Sequence, residues 1–315
     1  MAIGGRYLTV RWLRADIGNL TEPFFAPSIS LMRACVPVPL ESETDLETIA
    51  AGSRHLTPME PAGIIIHMTR CGSTAVANAL RTAERTTVLS EAAPVDSVMH
   101  LSLSRSPSLM TLGRRVLPAI VAVFANCQGA PARKLIIKCG LEGAAFLPLI
   151  RDVWPRVPCL ILVRDPLEVM VSNIQRPAPW LMLLKSRTEG APADDSNQDR
   201  EWVELASKTL GNMCGEMHRH LYESCFVLDH SRLSPTAVLE VADRFGLQFT
   251  SDGREEFHRS LRQYSKDRKR TFEDDTAAKQ SGADDWLKEC VAKWAADPYK
   301  SLLTAACCNN LSHHA

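Results

Sequence analysis

The chain has 315 residues, room for one large α/β domain or two small ones. Its 36 Lys and Arg balance 36 Asp and Glu, which argues against a nucleic-acid binder, because that function draws on a basic excess. Ten cysteines stand singly apart from Cys307-Cys308, and no C-x-x-C pair suggests zinc; they read as reduced, buried thiols. Residues 1–14 lack the apolar core and cleavage site of a secretory signal. No apolar run approaches the roughly 18 residues of a membrane span, so a soluble, cytoplasmic protein is expected.

In chain order, residues 7–13 alternate loosely and predict a short strand. Residues 23–35 predict an amphipathic helix with Phe24, Phe25, Ile29 and Met32 on its core side. Pro58 and Pro61 punctuate a loop. Five short apolar runs follow, at 63–68, 87–90, 134–138, 159–163 and 225–228. Helical stretches fall between them at 72–82, 94–103, 109–127, 145–153, 166–175 and 200–222. Apolar strands alternating with helices predict an α/β three-layer sandwich around a mostly parallel sheet of about five strands. Residues 177–199, rich in Pro, Ala, Asp and Ser, predict a surface excursion with a helical piece at 180–185. Residues 235–245 and 254–264 read as helices, 265–283 as a charged loop and 284–311 as a closing helix.

One segment carries chemistry most directly. Ile64-Ile65-Ile66-His67-Met68 is a buried strand by composition, and Thr69-Arg70-Cys71-Gly72-Ser73-Thr74 turns from it into a helix. A strand, a glycine turn and a helix in this order present backbone N–H groups and a positive helix end to an anion. Arg70 adds a cation, and Ser73 and Thr74 add hydroxyls. The Walker A pattern is not met: no Lys precedes Ser73, and no Gly stands five residues before Gly72. An ordinary capped turn is the alternative.

The loop resembles the 5′-phosphosulfate loop of sulfotransferases that use 3′-phosphoadenosine 5′-phosphosulfate (PAPS), nearest to the bacterial and protein-tyrosine forms. Cys71 and Ser73 depart from that pattern conservatively. A second stretch, Val163-Arg164-Asp165-Pro166 with Ser172 eight residues after Arg164, resembles the family's 3′-phosphate element. Arg164 offers a fork and Ser172 a hydroxyl. Two other readings stand beside it: Arg164 pairing with Asp165 or Glu168, and Asp165 as a Walker B carboxylate.

The resemblance covers about 63–173 and fades beyond. It implies a P-loop-like fold and a single domain over 1–315. Residues 1–60 would be an extension, 61–264 the nucleotide-binding core, and 265–315 a basic loop with a terminal helix. It implies PAPS as donor, the product nucleotide 3′-phosphoadenosine 5′-phosphate (PAP), no metal and a small-molecule acceptor. The cofactor would be held by Thr69, Arg70, Cys71, Gly72, Ser73, Thr74, Arg164 and Ser172.

In such a sheet the ligand crevice lies beyond the carboxyl ends of the strands. Glu91, just after the run 87–90, would be the general base. Lys138, ending the run 134–138, would neutralise the departing bridging oxygen, a role Arg70 could share. His67 reads as a core histidine, and His230 falls where the family brings an aromatic toward adenine. The basic stretch 264–270 stands where the family closes a loop over the 3′-phosphate; Lys266 and Arg268 are the candidates. An ATP-dependent kinase and a non-catalytic nucleotide binder are the other readings. The first 55 residues and the terminal helices are left to shape the acceptor pocket or a homo-oligomer contact.

Overall fold

The computed structural model describes residues 8–14, 20, 22–35, 40–126, 134–188, 195–264, 267–271 and 282–311. The first strand, β1 (Thr9–Arg14), pairs antiparallel with β2 (Leu40–Asp45), and α1 (Phe25–Ala34) lies between them in the chain. The sequence reading found β1 and α1 but not β2. Leu-Glu-Ser-Glu-Thr-Asp has no apolar alternation, and its strand character comes from its partner. Arg11 pairs with Glu43 at 3.0 Å, and the Trp12 indole N–H donates to Thr44 Oγ1 at 3.0 Å. Asp45 then caps α2 (Leu46–Gly52), accepting from the Thr48 N–H at 2.8 Å.

The central sheet holds the five strands expected from the apolar runs. They are β3 (Gly63–His67), β4 (Thr86–Ser90), β5 (Lys134–Lys138), β6 (Cys159–Val163) and β7 (Cys225–Asp229). Their order is β4-β5-β3-β6-β7, and every pairing is parallel. The middle strands β3 and β6 are buried throughout, which is why their sequences are continuous apolar runs rather than alternations. β3 is followed by α3 (Ser73–Leu80), which packs with α10 (Pro235–Arg244) and α11 (Ser251–Arg262). β6 is followed by α7 (Pro166–Gln175), which packs instead with α9 (Asp195–Arg219) and α12 (Asp285–Val291). The chain thus leaves β3 and β6 toward different helical neighbours, the arrangement with which open α/β sheets place a ligand crevice beyond the strands' carboxyl ends.

Helix α4 (Ala93–Leu101) packs against α5 (Pro107–Asn126), which also meets α6 (Leu147–Val153), and α8 (Pro179–Thr188) lies beside α9. Helix α5 corrects one expectation. At 20 residues, with a mean hydropathy of 1.5, it is long and apolar enough to cross a membrane. Here Val116, Leu117, Ile120 and Val121 are buried in the core.

Two further expectations are amended near the carboxyl terminus. The charged stretch read as a loop from 265 carries β9 (Asp267–Thr271), which pairs antiparallel with β8 (Gln263–Tyr264). The terminal helix expected over 284–311 does form, over 285–311, but it carries one irregular turn. A π-helical turn, Ala292–Ala296, separates α12 from α13 (Asp297–Leu311). That turn lays the Trp294 backbone carbonyl against Gly211 of α9, where a Cβ would overlap it. Gly211→Ala gains helix propensity but overpacks two backbones. A net destabilisation of about 1–3 kcal/mol is expected in urea unfolding, despite the usual advantage of Ala over Gly in a helix.

Candidate active site

The loop after β3 is shaped by two left-handed residues, Arg70 (φ 59°) and Gly72 (φ 88°). Gly72 is required on two counts. Its φ disfavours any Cβ, and a Cβ there would meet Leu233 Cδ2 at 2.9 Å and the His230 ring at 3.3 Å. His230 therefore sits against the loop itself. Gly72 caps α3 without any side-chain hydrogen bond. Thr69, Ser73 and Thr74 are buried. Cys71 points inward: its Sγ donates to the Met68 carbonyl at 2.9 Å, and burial pushes its thiol up to about 11. Of the expected anion ligands, Cys71 can therefore offer only its backbone. Arg70 donates through one guanidinium nitrogen to the Arg176 carbonyl, while its Nε is buried without a partner among the described residues.

At the ends of β4 and β5 a charged cluster forms. Ser90 and Lys138 are register partners, so their side chains project from the same face of the sheet. Lys138 is 1% exposed, donates to Glu91 Oε1 and lies 5.3 Å from the Phe24 ring centroid. Phe24, expected in the core, thus shields the ammonium instead. Glu91 turns toward Lys138 from a left-handed backbone (φ 52°). His67 completes the cluster, with Nε2 3.0 Å from the Cys139 carbonyl and 3.7 Å from Glu91 Oε1. Its other ring nitrogen lies 2.8 Å from the Met68 carbonyl, and burial holds the imidazole below its usual pKa. Burial would raise Glu91 as well, but His67 and Lys138 outweigh it and hold the carboxyl down at about 2. In this arrangement Glu91 tethers Lys138 and is a weak proton acceptor.

Two groups that the sequence did not mark stand beside this cluster. The Ser90 hydroxyl is buried without a partner among the described residues. Asp96, in the first turn of α4, accepts a hydrogen bond from the Gly140 N–H at 3.3 Å. Neither belongs to a recognisable motif: one is a strand-end Ser, the other a first-turn carboxylate. Only the three-dimensional register of β4 with β5 reveals them.

Just after β6, Arg164 is 5% exposed and pairs through Nε with the similarly buried Glu168 at 2.7 Å. One of its terminal nitrogens is 3.5 Å from the Arg70 carbonyl, which links it to the first loop. The Arg164–Glu168 pairing considered in the sequence does form, buried rather than at the surface. Asp165 accepts from the Leu167 N–H at 2.7 Å as the cap of α7, which accounts for it without a metal. Ser172 is half-buried on α7, two turns beyond the cap. Arg268 lies in β9, and Lys266 falls outside the described residues.

The structure therefore gathers the 69–74 loop, Glu91, Lys138 and Arg164 at the carboxyl ends of four neighbouring strands. No family model matches the chain, and neither does any curated protein. In structure the chain is similar to bacterial sulfotransferases. One from Mycobacterium tuberculosis H37Rv aligns with a TM-score of 0.45 and 11% identity over 79% of this chain and 81% of that one. The sulfotransferase domain of the Synechococcus PCC 7002 olefin synthase aligns at 0.41 and 16% over 80% and 96%. A sulfotransferase from Alicyclobacillus acidocaldarius aligns at 0.35 and 13% over 74% and 96%. At TM-scores below 0.5 these likenesses carry no functional argument, which rests on the residues of the site.

Proposed function

We propose that the protein moves a sulfuryl group from PAPS to a hydroxyl or amine of a small-molecule acceptor. The observation that carries this reading is buried Lys138 at the end of β5 beside its register partner Ser90, with Arg70 in the loop after the adjoining β3; Ser90 Oγ and Arg70 Nε are buried donors without a partner among the described residues. Buried donors without acceptors cost about 1–3 kcal/mol each. An anionic group with several oxygens would relieve both and give Lys138 a second acceptor besides Glu91. The left-handed loop over Gly72 adds backbone N–H groups and the amino end of α3.

PAPS is favoured over ATP by what the loop lacks and by what stands next to it. Ser73 occupies the place after Gly72 where a nucleoside triphosphatase needs its Lys. Arg164, joined to the loop through the Arg70 carbonyl, is the cation best situated for a further phosphate. Within this reading Arg70 and Lys138 stabilise charge on the departing oxygen, and the 69–74 backbone orients the group being transferred. Sulfuryl transfer, like phosphoryl transfer, asks the protein mainly for positioning and charge.

Calorimetry with PAP and with ATP–Mg²⁺ tests the reading directly. PAP is expected to bind at least about tenfold more tightly, a difference of roughly 1.4 kcal/mol. Tighter binding of ATP–Mg²⁺ would turn the assignment toward a kinase. Binding of PAP without any release of PAP from PAPS would leave a nucleotide-binding protein.

A further inference from the structure

Two carboxylates stand near Lys138 at the ends of β4 and β5, and their surroundings differ in kind. Glu91 faces the ammonium of Lys138 and the His67 ring. Asp96 has no cationic side chain within ion-pair distance among the described residues, and its single donor is the Gly140 N–H on Oδ1. Its Oδ2 carries no hydrogen bond from any described residue and lies against Gly140, and the residue is partly buried. Glu91 is tied through Oε1 to a cation, and Asp96 is tied to none among the described residues.

We infer that Asp96 is the catalytic base of the sulfuryl transfer proposed above, on which this inference rests, with Oδ2 taking the proton of the acceptor. The step balances without a further reactant. A lone pair on the acceptor oxygen or nitrogen forms the new bond to sulfur. The bond from sulfur to the bridging phosphate oxygen breaks, leaving its electron pair on that oxygen beside Lys138 and Arg70. The acceptor's proton passes to Asp96, and PAP leaves.

The charged groups around Asp96 fit this role. Glu91 and Lys138 face it from the strand ends, and His100 stands one turn along its own helix. The His100 ring is 2.7 Å from the Asp96 backbone carbonyl and paired on its other side with Glu142. Burial, with the charge of Glu91 added, pushes the Asp96 carboxyl up to about 6. Environments that drive two neighbouring carboxyls apart assign different work to each. A base raised to within about a unit of neutrality is matched to proton transfer there, whereas a carboxylate held near 2 is not.

The test compares Asp96→Asn, Asp96→Ala and Glu91→Gln with the wild type. PAP binding is measured by calorimetry, and PAP release from PAPS is followed with phenol and with water alone as probe acceptors. Asp96→Asn is expected to bind PAP within about threefold of wild type and to lose at least about 100-fold in turnover. The acid limb of the kcat/KM profile, expected near pH 6 in the wild type, should be absent from Asp96→Asn and retained in Glu91→Gln. Formate should restore part of the turnover of Asp96→Ala, a rescue that a merely structural role would not give. The inference is overturned if Asp96→Asn turns over as the wild type does, or if Glu91→Gln is the variant that erases the limb. A wild type that fails to bind PAP removes the donor reading and this inference together. PAP binding with an unaffected Asp96→Asn removes this inference alone.

Discussion

Lys138→Met is expected to lower turnover by about 10²–10³-fold while leaving PAP affinity within a few-fold, the signature of a group that acts on charge developing in the transition state. Met keeps the unbranched stem of Lys, so the packing against Phe24 survives while the ammonium is lost. Lys138 is almost wholly buried, and its one ion-pair partner among the described residues is Glu91. To serve the departing oxygen it must share itself between Glu91 and the ligand, and the tether sets the direction in which it is offered. Steady-state kinetics set against PAP calorimetry checks this. A loss confined to binding would make Lys138 a ground-state contact only. The variant should also lose part of the acid sensitivity of the fold. Glu91 is held below its ordinary carboxyl range, so its pair contributes stability that is present above about pH 4.5 and lost as pH falls toward about 2. Glu91 remains 35% exposed on its side chain, so solvent screens part of that contribution. Melting curves across that window should show a shallower acid loss in Lys138→Met than in the wild type.

Arg164→Ala should carry the largest cost to the fold, about 3–5 kcal/mol in urea unfolding, because it strands the Glu168 carboxylate in a buried place. It should also weaken PAP by about 1.5–3 kcal/mol, the scale of a charged hydrogen bond. The two effects are separable. Replacing both partners, Arg164→Leu with Glu168→Leu, removes the uncompensated charge and should recover most of the stability without recovering affinity. A double variant that binds PAP like the wild type would make Arg164 a strut between β6, α7 and the Arg70 carbonyl, with no part in holding nucleotide.

The five sheet strands were legible because burial on both faces writes itself as continuous apolar sequence, as in Ile64-Ile65-Ile66 and Cys159-Leu160-Ile161-Leu162-Val163. The 69–74 loop and Arg164 were legible from their motifs, and Glu91 and Lys138 from their places at strand ends. β2 was not legible, since its six residues borrow their conformation from Arg11 and Trp12 across the ladder. Neither was the π turn at Ala292–Ala296, which depends on what α12 and α13 pack against rather than on local propensity. The relation between Glu91 and Asp96 lay beyond sequence for a different reason. Which carboxylate is tied to a cation and which is not follows from β4 pairing with β5 in the register that sets Ser90 against Lys138.

Arg70 and Glu91 are non-glycine residues held at positive φ, a conformation that costs about 1–3 kcal/mol each. The protein therefore keeps a reserve of stability that it could gain by surrendering these two side chains to glycine or asparagine. A search for thermostable variants of this chain would be drawn to positions 70 and 91 first, and its best hits there would have removed two side chains of the proposed site. Arg85 shares the strained backbone but sits in the turn before β4, so relaxing it would stabilise the fold without that loss. Heat tolerance and function pull on this molecule from the same few dihedral angles.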